Sequence, residues 1–254
     1  MRAGRISGFL VLLACTQILR VNAEVVEFSA TAVQLSPNAP ARIARMYVSE
    51  EAVRREYGQN NQQFAEIYYP KKGIHYLLAA ASKTYQIVKS TPNPAVLRGQ
   101  QIKSTNPCND KVQESCRLLG EEKLNGQLAD KWEISREVDG RSIKALFWVD
   151  KQKGQVLRQF YPDGTVVELV QKGTAAIDGR ETERWELQTK SPNGHIEKTI
   201  QWYDPELAMT IKEVLPGGFV RELKDIKTGK QEAYLFSVPP DYKETKQQDI
   251  KTNP

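Results

Sequence analysis

Gly120, Asn125-Gly126, Trp132-Glu133, Gly140, Trp148, Asp150, Pro162 and Gly164 recur 53 or 54 residues later as Gly173, Asp178-Gly179, Trp185-Glu186, Gly194, Trp202, Asp204, Pro216 and Gly218. All four tryptophans of the chain fall in this stretch, two per copy. Self-similarity at a fixed period marks a repeated supersecondary unit, so residues 119–218 decide the architecture. The punctuation within each copy is hairpin chemistry. Asn125-Gly126, Asp178-Gly179 and Asp139-Gly140 are two-residue turns that need positive φ, and Pro162-Asp163-Gly164 and Pro216-Gly217-Gly218 close further hairpins. β-rich runs between such turns describe an antiparallel meander, not βαβ units.

Comparing the copies assigns faces. Leu128, Trp132 and Ile134 alternate with Gln127, Ala129, Lys131 and Glu133, which gives that strand one buried face. In the next strand Leu146 and Trp148 match Ile200 and Trp202, so Trp132, Trp148, Trp185 and Trp202 are read as the repeat core. The opposite side differs: Ile143, Ala145, Phe147 and Val149 become Glu197, Thr199, Gln201 and Tyr203. A strand apolar on both faces must be covered on both. Copy one is therefore expected near the sheet centre, beneath the connector that precedes it, with copy two exposing a solvated outer side. Ile143, Ala145, Phe147 and Val149 form the candidate apolar ligand face.

Outward from the duplication, residues 24–48 read as a hairpin around Ser36-Pro37-Asn38-Ala39-Pro40. Residues 53–56 read as a short strand, with a helix capped by Ser49 as the competing reading. Strands follow at 64–69, 74–78 and 85–88. The pattern breaks over residues 90–118, where Pro92, Pro94, Pro107, Cys108 and Cys116 lie in polar sequence. At most one or two short helices fit this connector, around 95–101 and 110–118. After the duplication come a strand at 219–226, another at 233–238, and a polar tail from Asp241 that reads as disordered. The division is thus a leader at 1–23, one β domain at 24–240 (N-terminal strands 24–89, connector 90–118, duplicated unit 119–218), and a tail at 241–254.

The leader has a positive start at Arg2 and Arg5, an apolar run over residues 8–14, and a small-residue cleavage site at Val21-Asn22-Ala23, which together form a secretory signal. A competing reading takes Leu12-Leu13-Ala14-Cys15 as a lipobox, in which Cys15 is lipidated and anchors the chain to a membrane. Without Arg2, Arg5 and Arg20 the chain carries 33 Lys plus Arg against 31 Asp plus Glu, a net charge near +2. That balance gives no electrostatic reason to expect a nucleic-acid partner. No later run is long and apolar enough for a membrane-spanning helix. Cys108 and Cys116, an even pair in an exported chain, read as a disulfide, worth roughly 2–3 kcal/mol for so short a loop.

No catalytic constellation assembles. His75 and His195 lack metal-ligand spacing, and no nucleophile elbow, phosphate loop or dinucleotide fingerprint occurs, so neither an enzyme activity nor a cofactor is expected. Glu133 and Glu186 follow the repeated tryptophans on the polar side of their strands and read as solvated. Asp150 and Asp204 close strands beside turns, where Asp caps.

Lys83-Thr84-Tyr85, Cys116 with Leu119-Gly120 and Leu124-Asn125-Gly126, Lys131-Trp132-Glu133, Trp148-Val149-Asp150, Pro162-Asp163-Gly164 and Leu235-Phe236-Ser237-Val238-Pro239-Pro240-Asp241-Tyr242, taken in order, resemble a family of bacterial exported proteins. That family is itself similar to the LolA/LolB-type lipoprotein carriers and to the related domain of RseB periplasmic regulators. The resemblance covers about residues 40–245. It implies a strongly curved antiparallel half-barrel whose concave face, in the carriers, holds acyl chains beneath a helical lid. Beyond Leu124 no amphipathic helix is available as a lid, leaving only the connector. The expected function is a non-enzymatic periplasmic binding protein for a lipid, lipoprotein or other apolar envelope ligand. The alternative is an envelope protein–protein interaction or stress-sensing module with no small ligand.

Overall fold

Positive-φ turns at short intervals leave the backbone no option but to reverse, and within each of two series the strands pair with their sequence neighbours. In a computed structural model that describes residues 25–92, 107–108 and 114–245, the first series is β1 (Phe28–Ser36), β2 (Ala39–Val48), β3 (Val53–Gln59), β4 (Gln62–Tyr69), β5 (Ile74–Ala79) and β6 (Thr84–Lys89). The second is β7 (Glu114–Leu124), β8 (Gln127–Val138), β9 (Arg141–Asp150), β10 (Val156–Phe160), β11 (Val166–Ile177), β12 (Arg180–Lys190), β13 (Ile196–Asp204), β14 (Met209–Val214) and β15 (Val220–Thr228), with a final β16 (Lys243–Glu244). Asn38, Asn60, Asn61, Asn125, Asp139 and Asp178 sit at turns with φ between 49° and 67°, a region that Asn and Asp tolerate better than other side chains. The recurring Gly120 and Gly173 have φ of 142° and 109° and stand where the β7–β8 and β11–β12 ladders shift register. The repeat therefore preserves a bulge as well as its turns.

All sixteen strands form one open, highly curved sheet in the order β16-β6-β5-β4-β3-β2-β1-β15-β14-β13-β12-β11-β10-β9-β8-β7. Two meanders meet where β1 pairs antiparallel with β15, from Phe28 opposite Thr228 to Leu35 opposite Val220. The first series thus starts mid-sheet and grows outward, so β6 and β7, consecutive in the chain, lie on opposite sides of the sheet. This corrects the expected placement of the copies. Copy one begins at β7, the sheet edge, and copy two lies toward the centre, because the second meander is anchored at its C-terminal end by β1.

Directly paired residues share a face, and the registers divide the sheet consistently. One face carries Phe28, Val48, Ile211 and Leu223, which form a buried cluster with Ala30 and Leu207. The other carries Ala65, Ile67 and Leu78, which are covered by Phe236 from the C-terminal segment. A smaller cluster of Ala129, Trp148 and Leu157 lies near the β7 edge. Arg55 on β3 and Ile211 on β14 line one cleft, although four strand spacings separate them by about 19 Å along a flat sheet. The face they share is therefore concave, and is called the inner face below.

Three further expectations are corrected. Residues 114–118 are not helical but open β7, because Cys116 and Leu118 pair with Ile134 and Trp132; ladder pairing outweighs local propensity. Residues 233–238 are not a strand: Ala233–Phe236 is a 3-10 turn closed by Leu235 N–H donating to the Glu232 carbonyl at 3.0 Å, which turns Phe236 onto the outer face of the sheet. The tail is ordered through Thr245. Asp241 pairs with Lys83 at 2.8 Å, and β16 runs parallel to β6, with Thr245 N–H donating to the Tyr85 carbonyl at 2.8 Å. The leader with Cys15, the helix expected around 95–101 and the tail beyond 245 lie outside the described residues.

Candidate functional site

Alternation along β8, β9, β11 and β12 sends one apolar series to the inner face. Trp132 stands opposite Phe147 and Ile134 opposite Ala145, while Leu169 stands opposite Leu187. Phe147 meets the Tyr161 ring edge-on at 6.3 Å. Val149 and Trp185 are buried, whereas Trp132, Ala145 and Phe147 are half-buried and Ile143 is 37% exposed. The four residues picked as a ligand face thus lie on the concave side of the sheet, in line with the two inner tryptophans. Trp185 donates its Nε1–H to Glu183 at 3.0 Å beneath the Lys153 ammonium. The Trp132 Nε1–H is shielded from solvent and meets no hydrogen-bond acceptor among the described residues.

The tryptophans do not form one core. Trp148 and Trp202 point to the outer face, because each stands one residue out of step with the inner positions of its strand. Trp148 donates to Glu122 at 2.8 Å and lies under Lys131 and Arg158; Trp202 lies under Lys212. A second correction concerns Thr199, Gln201 and Tyr203. They were expected on a solvated outer side, yet they pair with Leu187, Trp185 and Glu183 on the inner face. Apolar character on that face therefore fades from copy one toward copy two.

Beyond them the inner face deepens into a cleft of about 440 Å³ floored by Ala32, Ala44, Met209, Ile211 and Leu223, with Arg55, Glu213 and Arg221 at its margins. Arg221 lies 3.7 Å from Glu213. Next to the cleft is a polar cluster that the sequence did not reveal. Tyr57 donates to Glu66 Oε1 at 3.0 Å, Arg55 donates to Glu66 Oε2, and His75 Nε2 stands 3.7 Å from the same carboxylate. His75, then Arg55 and Tyr57, hold the Glu66 carboxyl down at about 2 although burial opposes them. Burial foremost, with the Glu66 contact, raises the Tyr57 phenol. Arg55, Glu66 and His75 occupy one cross-strand neighbourhood of β3, β4 and β5, and only the register brings them together.

Glu133 pairs with Arg117 and Lys144, and Glu186 with Lys198, all on the outer face. His75 meets Glu66 and the Tyr68 ring, and His195 meets Glu197. Among the described residues no three His, Cys, Asp or Glu side chains converge as a metal site. Cys108 and Cys116 form a disulfide with Cα atoms 5.8 Å apart. Cys116 pairs with Ile134, so the bridge attaches Cys108 on the inner side of the edge strand.

No family model matches the chain, and no curated protein matches it. Solved structures similar to it include a LolA superfamily protein from Nitrosomonas europaea, at 12% identity over 86% of this chain and 92% of that one, with a TM-score of 0.35. Another is an outer membrane lipoprotein-sorting protein domain from Vibrio parahaemolyticus, at 14% identity over 83% and 89%, with a TM-score of 0.33. A third is the MucA/MucB complex of Pseudomonas aeruginosa, at 11% identity over 82% and 95%, with a TM-score of 0.21. These are the groups that the ordered motifs of the sequence resemble. At such identities and scores they assign no ligand or partner to this chain.

Proposed function

We propose that this chain is a non-enzymatic exported binding protein that holds an apolar envelope ligand, a lipid or the acyl chains of a lipoprotein, against its inner face. The observation that carries this reading is the inner apolar series of Trp132, Ile134, Ala145, Phe147, Leu169 and Leu187, half-buried on the concave side of the sheet. Ligand sites are concave, mostly apolar and usually about 300 Å³ or larger, and the adjoining cleft of about 440 Å³ meets that description. The secretory leader and the disulfide support an oxidising compartment outside the cytoplasm. Among the described residues no helix is long and apolar enough to cross a membrane.

The split of the tryptophans supplies the test. A brominated fatty acid quenches indole fluorescence only on close approach, so binding at the inner face should quench Trp132 and Trp185 and spare Trp148 and Trp202. Trp132→Phe should remove much of the response, and Trp202→Phe should leave it. Absence of quenching in the parent protein, together with recovery of no lipid from protein purified from its own envelope, would reject the reading.

A further inference from the structure

Ten large apolar side chains are exposed among the described residues, and five of them gather at one end of the sheet. Leu35, Ile143, Phe160, Ile196 and Phe219, each 37–49% exposed, stand within three residues of five hairpin turns. Those turns join β1–β2, β8–β9, β10–β11, β12–β13 and β14–β15, which are adjacent in the sheet, and all point the same way. The opposite ends of these strands provide the internal comparison. There the turns are Asn125-Gly126, residues 151–154, Asp178-Gly179 and residues 205–208, and Leu128 is the one exposed large apolar residue beside them among the described residues.

The apolar end is also built as a rim. Pro37, Pro162, Pro192 and Pro216 occupy its turns, all exposed. A Cβ on Gly218 would meet Pro37 at 3.3 Å, and one on Gly164 would meet Pro192 at 3.7 Å, so neighbouring tips rest against one another. A depression between the β8–β9 and β10–β11 tips is lined by Val138, Ile143 and Pro162 and by Arg141 and Lys144. Among the described residues Arg42, Arg141 and Lys190 on this rim form no ion pair, and with Lys144 they outnumber the acids of the same turns, Asp139 and Asp163. Single exposed apolar residues need no explanation, but a set gathered along one edge of the sheet marks a contact surface.

We infer that this rim docks on an anionic lipid bilayer, with Leu35, Phe160, Ile196 and Phe219 entering the headgroup region and Arg42, Arg141 and Lys190 meeting lipid phosphates. Separate apolar tips on one edge, interspersed with unpaired cations, suit a planar interface that accepts shallow insertion. They do not form the groove that a helix or strand would need. The inference rests on the proposed lipid-binding role, since it sets the mouth of the inner face against the surface from which a lipid would come.

The test is co-sedimentation of the full chain with vesicles of phosphatidylglycerol and phosphatidylethanolamine, beside vesicles of phosphatidylcholine alone. The parent should bind the anionic vesicles more tightly, and added salt should erode the preference. A Phe160→Ser, Ile196→Ser, Phe219→Ser variant should bind at least about tenfold more weakly, whereas Leu128→Ser at the opposite end should bind like the parent. Arg42→Gln with Arg141→Gln, which leaves the apolar tips in place, should lower the anionic preference without the same loss on neutral vesicles. Quenching by brominated fatty acid in solution should persist in all of these, which separates rim failure from failure of the inner site. Equal vesicle binding by parent and triple variant overturns the inference. So does a parent that binds neither vesicle but forms a complex with an envelope protein that the triple variant loses.

Discussion

Asp150 and Asp204 occupy the same position in the two copies, and the structure predicts that removing them costs different amounts. Both are buried, and each turns Oδ1 toward two backbone N–H groups of the following turn: Gln152 and Lys153 for Asp150, and Glu206 and Leu207 for Asp204 at 2.9 and 3.0 Å. Only Asp204 also accepts from a guanidinium, that of Arg180. Losing the acceptor of two half-buried amides is worth about 1–3 kcal/mol at Asp150. Losing the ion pair as well raises Asp204→Ala to about 3–5 kcal/mol. The upper end is not expected, because Arg180 keeps Glu206 at 2.8 Å and is not left uncompensated. Asp204→Asn retains the amide acceptor and should cost only about 1–3 kcal/mol. Urea unfolding followed by circular dichroism gives these differences. In thermal melts, about 2–4 °C per kcal/mol places Asp204→Ala roughly 6–16 °C below the parent. If Asp150→Ala proves as costly as Asp204→Ala, or Asp204→Asn as costly as Asp204→Ala, the guanidinium contributes nothing and the reasoning fails.

Glu66 titrates at about 2 in the folded chain against 4.5 as its ordinary value, so its stabilisation is complete above about pH 4.5 and is lost as pH falls toward 2. Glu66→Gln should flatten that part of the stability–pH curve and leave its neutral and alkaline parts parallel to the parent's. Replacing both Cys108 and Cys116 by Ser, or reducing the bridge, should lower stability by about 2.5 kcal/mol in chemical denaturation. Unchanged midpoints would show that the bridge constrains nothing in the unfolded chain. Gly73 has φ of 64°, and a Cβ there would overlap the Ser90 carbonyl oxygen, which accepts no such approach. Gly73→Ala should therefore cost at least about 2 kcal/mol, whereas Gly126→Ala, at φ 87° with open space around it, should cost about 1 kcal/mol; both are read from urea midpoints.

What was legible in the sequence was whatever local chemistry dictates. Asn-Gly, Asp-Gly and Pro-x-Gly pairs located the reversals, and alternation located the strands between them. Aligning the copies isolated Ile143, Ala145, Phe147 and Val149 as unusual before any geometry was known. Propensity failed where a partner decided the outcome: residues 114–118 are extended because β8 lies beside them, and Phe236 turns toward the sheet because Ala65, Ile67 and Leu78 offer it an apolar bed.

The sequence by itself determined that this is an antiparallel meander built partly by duplication, because turn residues and side-chain period act over a few bonds. Only the tertiary structure decided that β1 closes onto β15, which moves copy one from the centre of the sheet to its edge and places the polar residues of copy two on the concave side. It also decided that the tryptophans divide between two faces, that Arg55, Glu66 and His75 meet, and that five apolar hairpin tips share one rim. Each of these follows from register and curvature. Both are settled by contacts between residues far apart in the chain, and a one-residue slip would send every side chain to the other face.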